Sequence, residues 1–111
     1  MKNVLTISIL TCVLTFCGRN QAVDESLDRA ESCMSASPDS ALAILESIDS
    51  LHFDSRSQSA RYALLKSIAL DKNYIDRIDD SLINIAVNYY RHRCNAPYKF
   101  KSYYYQARIY Q

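Results

Sequence analysis

The sequence predicts an all-α protein: antiparallel helical hairpins stacked into a solenoid, about five helices in all, behind an N-terminal segment of different character. Three observations lead there. Of 111 residues only one is Gly and two are Pro, too few turn formers for a many-stranded sandwich or barrel. From Val23 onward the apolar residues keep the spacing of one helix face. Both prolines fall where that pattern breaks, in Ser37-Pro38-Asp39 and in Asn95-Ala96-Pro97, as expected of a residue that a helix interior rejects.

The first segment reads as an address. Lys2 precedes the uncharged run from Val4 to Phe16, the basic and apolar regions of a secretory signal. The run is shorter than the roughly 20 apolar residues needed to cross a bilayer. It ends in Leu14-Thr15-Phe16-Cys17-Gly18, and an aliphatic residue three before a Cys resembles a bacterial lipobox. The resemblance implies a signal peptide over residues 1–16, cleavage before Cys17, and lipidation of Cys17. Phe16 departs from the pattern, which usually carries Gly, Ala or Ser there. Residues 17–22 then form the lipidated cysteine and a short tether, and the mature chain carries 12 basic and 12 acidic groups.

Helices follow in order. Val23, Leu27, Ala30 and Met34 share one face, as do Ala41, Ile44, Leu45 and Ile48 in the next helix. Ser37-Pro38-Asp39 opens that second helix, with Ser as N-cap, Pro in the first turn and Asp at the positive end of the dipole. A third helix runs from about Arg56 to Lys72, with Ala60, Leu64, Leu65, Ile68 and Ala69 inward. Polar residues from Asn73 to Asp80 interrupt the pattern. Asp79 or Asp80 caps a fourth helix carrying Leu82, Ile85, Ala86, Tyr89 and Tyr90, which Asn95-Ala96-Pro97 closes. The fifth begins near Tyr98, with Phe100, Tyr103, Tyr104, Ala107 and Tyr110 on one stripe.

Three helix starts share a grammar. Leu27-x2-Ala30-Glu31-x2-Met34, Tyr62-x2-Leu65-Lys66-x2-Ala69 and Tyr103-x2-Gln106-Ala107-x2-Tyr110 each place large, medium and small residues at matching offsets. Ala41-x3-Leu45 and Ala86-x3-Tyr90 follow the first two. This pattern resembles the tetratricopeptide repeat, in which a small residue lets two helices of a hairpin approach and large ones fill the groove to the next. The starts lie 35 and 41 residues apart, against about 34 in that family. Glu31 and Lys66 stand where the family has a small residue, and Gln106 where it has Leu. With the lipobox, the chain resembles the N-terminal part of tetratricopeptide-repeat lipoproteins of the Bacteroidetes type. The resemblance implies helical repeats over residues 23–111, the last repeat incomplete. Phe100, Tyr103, Tyr104 and Tyr110 would then be an exposed edge that attracts more chain, a partner helix or a second copy.

Catalysis finds little footing. Without Gly beyond Gly18 there is no Gly-rich phosphate loop, dinucleotide fingerprint or nucleophile elbow. His92-Arg93-Cys94 and the distant His52 do not make a four-ligand zinc pattern. The pairs Asp24/Asp28 and Asp76/Asp80 stand at helix starts, where dipole and capping chemistry explain them. Neither a metal nor a cofactor is expected, and Cys33 and Cys94 read as separate thiols. Charge is distributed unevenly: residues 24–54 balance to −7 and residues 81–111 to +5. Basic groups interleaved with tyrosines suit single-stranded nucleic acid, but Tyr103, Tyr104 and Tyr110 keep the inward stripe on which a following hairpin would stack, and an exported lipoprotein rarely meets nucleic acid, so none is expected.

The expected function is that of an exported scaffold at a bacterial cell envelope, lipid-anchored to a membrane, binding a protein or peptide noncovalently on the concave face of its first helices. Solvent-facing candidates on that face are Lys66, Asn73, Gln106 and Arg108. The alternative is the N-terminal sensor part of a larger membrane-associated signalling protein.

Overall fold

The computed structural model describes residues 21–49, 53–77 and 79–111. The signal segment, Cys17 and His52 lie outside the described residues. Within them every regular element is a helix and no strand occurs. Helix α1 covers residues 21–33. It is followed by α2 (Pro38–Glu46), α3 (Arg56–Lys72), α4 (Ser81–Tyr90) and α5 (Ala96–Ile109).

Helix α3 is the centre. It buries nine of its 17 residues, more than one face can supply, because α2, α4 and α5 all pack against it and α1 bonds to it. Leu64 and Leu65 meet Leu27 and Ala30 of α1, Met34 of the turn after it, Ala41 and Leu45 of α2, and Ile83, Ala86, Val87 and Tyr90 of α4 in one core. Two buried hydroxyls turn back on their own helices: Ser67 Oγ donates to the Ala63 carbonyl and Ser102 Oγ to that of Lys99, both at 2.8 Å.

Helix ends show how far local chemistry reaches. Pro38 opens α2 behind Ser37 as expected, yet the Ser37 hydroxyl makes no capping bond. The start of α2 is instead tied from outside, where Asn73 Nδ2 donates to the Pro38 carbonyl at 2.9 Å. Ser55 does cap α3, accepting from the Gln58 N–H at 3.2 Å. Asp80 occupies the N-cap of α4 without a side-chain cap bond, and Asp79 holds the Ser81 N–H and hydroxyl at 3.0 and 2.6 Å. Those bonds hold the Asp79 carboxyl below the usual carboxylate range. At the far end of α3 the Tyr74 N–H reaches the Asp71 carbonyl and the Ile75 N–H that of Leu70, the paired closure of a Schellman motif. Tyr74 stands at its left-handed position, with φ of 61°.

One expectation about a face is corrected. In α4 the buried stripe is Ile83, Ala86, Val87 and Tyr90, while Ile85 is 45% exposed. The two stripes share Ala86 and Tyr90 and differ by a modest rotation, so spacing alone does not choose between them. Helix α4 ends at Tyr90, and Pro97 belongs to the first turn of α5, capped by Asn95 Oδ1 on the Tyr98 N–H at 3.2 Å. In α5 the face turned to the core is Tyr98, Ser102, Tyr105 and Ile109. The stripe of Phe100, Tyr103, Tyr104 and Tyr110, expected to be an exposed edge, points outward.

Candidate functional site

Helices α1, α3 and α5 wall a groove of about 360 Å³. Met34, Leu65 and Ile68 bring apolar surface to it, and Phe100, Tyr104 and Tyr105 form the α5 wall. Glu31, Lys72 and Lys101 supply charge. The volume falls within the range of ligand-sized clefts, and apolar lining with a few charged groups is the usual make-up of such sites.

A polar network keeps the three walls in register. Arg61 Nη2 on α3 donates to Asp28 Oδ1 at 2.7 Å and to Glu31 Oε1 at 2.8 Å on α1. The Glu31 carboxylate also accepts the Tyr98 hydroxyl of α5 at 2.9 Å. Glu31 therefore joins three helices that are distant in sequence. Burial works against the charge on Arg61, but the hydrogen bonds to Glu31 and Asp28 outweigh it and hold the guanidinium above its ordinary range. Burial also pushes the Tyr98 phenol up, and its bond to Glu31 adds to that. Arg61 Nε is buried without a hydrogen-bond partner among the described residues, while Nη2 carries both ion pairs. Further along α1, Gln58 Nε2 donates to Asp24 Oδ1 at 3.1 Å.

The four side chains expected to face solvent on one concave surface do not form such a set. Lys66 is half-buried, with Nζ 3.2 Å from the Tyr62 hydroxyl and 5.5 Å from its ring centroid. Asn73 donates to the carbonyls of Pro38 and Ala69. Gln106 Nε2 donates to Asn84 Oδ1 at 2.8 Å across the α4–α5 contact. Arg108 Nε and Nη2 both reach Asp71 Oδ1, at 3.1 and 3.0 Å. Lys66 is engaged by Tyr62 one turn back on its own helix, whereas Asn73, Gln106 and Arg108 each find an acceptor on another helix, which spacing within one helix does not reveal.

The aromatic stripe of α5 is open. Phe100 is 71% exposed, Tyr103 46%, Tyr104 49% and Tyr110 69%. Phe100 and Tyr104 stack at 6.4 Å with an interplanar angle of 21°. The Tyr110 hydroxyl bonds to Asp80, which holds that carboxyl low and the phenol high. Lys72 and Lys101, which sequence reasoning passed over, stand at the groove with these rings. The available signal was the charge flanking the apolar stripe, at position 101 beside Phe100.

Among the described residues no cluster of His, Cys, Asp and Glu gathers to hold a metal ion. Cys33 and Cys94 are both free thiols, the first half-buried and the second exposed. No helix among the described residues is long and apolar enough to cross a membrane. Comparison of the chain with protein-family models, curated proteins and solved structures produced no match.

Proposed function

We propose that this chain is an exported scaffold, lipid-anchored through Cys17 at a bacterial cell envelope, whose tetratricopeptide-like solenoid binds a protein or peptide noncovalently. The observation that carries this reading is the groove walled by α1, α3 and α5. Alternate helices line one surface when hairpins stack, and solenoids present ligands to the surface so formed. The lining supports a chain-like ligand: apolar anchors sit on Met34, Leu65 and Ile68 while Lys72, Lys101 and Glu31 fix orientation. The lipobox resemblance at Leu14-Thr15-Phe16-Cys17 supports the anchor.

The experiment has two arms. A fatty-acid analogue fed to the producing cells should label the wild type and leave Cys17→Ala unlabelled; label retained in the variant removes the anchor. A displayed random-peptide library panned on the full chain should enrich clones that Phe100→Ala with Tyr104→Ala releases. Enrichment that ignores both rings, or no enrichment at all, removes the groove as the binding surface.

A further inference from the structure

The outward face of α5 narrows the class of ligand. Its four exposed aromatics follow helical spacing, and a continuous open aromatic stripe on a folded surface marks an interaction site. The helix has 14 residues, so the stripe runs about 20 Å. Lys99 lies on one flank, half-buried, and Lys101 on the other, exposed and opening into the groove with Lys72. Residues 81–111 contain no acid at all. Arg108, the remaining cation of α5, is already held by Asp71.

Three occupants can be compared by shape and charge. A second copy meeting this face with its own α5 sets lysine against lysine, since the acids beside the face, Glu31 and Asp80, are already engaged by Arg61 and Tyr98 and by Tyr110. A second copy offering its acidic first hairpin brings Glu25, Asp39 and Glu46, all exposed, but the apolar face of that hairpin is already consumed: Leu27, Ala30, Ala41 and Leu45 have no exposure. Charge would be answered and the rings would not. A flat anionic lipid surface meets the charge too, yet Phe100 and Tyr104 form the wall of a concavity, which a plane leaves unfilled. A cylinder with an apolar ridge satisfies all three features at once, seating its ridge against the stripe as helices pack ridge into groove.

We infer that the open face of α5 and the adjoining groove seat an amphipathic helix of a separate partner protein, apolar along one ridge and bearing Asp or Glu on the flanks that meet Lys99, Lys101 and Lys72. This rests on the scaffold reading above and names its ligand class. Apolar contact with the rings supplies the affinity, and the lysines select against basic helices.

The test uses the full chain in nanodiscs of neutral phosphatidylcholine and three fluorescent synthetic helices of about 18 residues. One carries a leucine ridge with glutamate flanks, the second replaces glutamate by lysine, and the third is the first with a central proline that breaks the helix. The glutamate helix should bind saturably and at least about tenfold more tightly than either other probe. Lys99→Glu with Lys101→Glu should reverse the preference between the first two. Phe100→Ala with Tyr104→Ala should weaken binding at least about tenfold, with far-UV circular dichroism unchanged because both side chains are exposed. Equal binding of the lysine helix, or indifference to the ring substitutions, overturns the inference. So does capture of phosphatidylglycerol vesicles in place of the helix, and so does a dimer in sedimentation velocity that the ring substitutions abolish. Tight binding of the proline-broken probe at the same rings overturns the helical ligand while leaving the peptide scaffold standing.

Discussion

Tyr90 shows how one residue ties packing to solution behaviour. It is 4% exposed, and its ring meets Tyr89 edge-on at 5.1 Å and Tyr98 at 5.3 Å. Burial, reinforced by those neighbouring phenols, pushes its pKa up to about 12. An unfolded tyrosine ionises near pH 10, so the folded state favours the neutral phenol. That preference contributes in full below about pH 10 and is lost as pH rises through about 12. Its size is on the order of 2 to 3 kcal/mol. Urea unfolding between these limits should show stability falling steeply in the wild type and less steeply in Tyr90→Phe. Parallel curves would show that the alkaline loss arises elsewhere, with Tyr98 and Tyr105, both also shifted upward by burial, the next groups to replace.

At the scale of the element, the end of α3 is closed by a residue poorly suited to the backbone it adopts. The Schellman closure places Tyr74 at a φ of 61° with its side chain 93% exposed, so the ring gains no burial to offset the left-handed strain. Glycine has no such penalty. Tyr74→Gly is therefore expected to stabilise the protein by about 1 kcal/mol, read as a raised urea midpoint at unchanged slope. A lowered midpoint would mean that Tyr74 makes a contribution absent from its burial. The same closure brings Asn73 into place, whose amide bridges α3 to the first residue of α2. A local turn thus sets the contact between two helices 35 positions apart in sequence.

In the whole molecule, stability is concentrated on α3, since the core passes through it from every side. Leu64 has no exposure and lies within that core. Leu64→Ala should cost roughly 2 to 5 kcal/mol. Because α1, α2, α4 and α5 all rely on the one helix, loss of helicity and loss of tyrosine burial should occur in a single transition. Two separated transitions, one for each hairpin, would show that the layers are energetically independent, as distant repeats of a longer array are. Charge is also a property of this scale. The acidic residues of α1 and α2 and the basic residues around α5 place opposite signs on the first and last layers, and among the described residues it is the last layer that combines charge with open aromatic surface.

The helices themselves were legible because their signals are local. Apolar spacing marked α1 to α5, the Ser37-Pro38 boundary marked α2, and the near absence of Gly and Pro within the runs left no competing element. The inward set of α3, including Leu64, Leu65 and Ile68, was equally plain since nearly every apolar residue of that helix is buried. Tertiary structure decided what spacing leaves degenerate. It chose Ile83 and Val87 over Ile85 as the core of α4, and Tyr98, Ser102, Tyr105 and Ile109 over the neighbouring stripe as the seat of α5. Adjacent stripes on an aromatic-rich helix are nearly equal in hydrophobicity, so the choice falls to the shape of the helices they meet. It also decided that Lys66, Asn73, Gln106 and Arg108 are occupied within the fold, and that Glu31, Arg61 and Tyr98 converge from three helices to hold the groove. Apart from Lys66, whose partner Tyr62 is four residues back on the same helix, these partners are 22 to 67 residues away, beyond the reach of any pattern within a single helix.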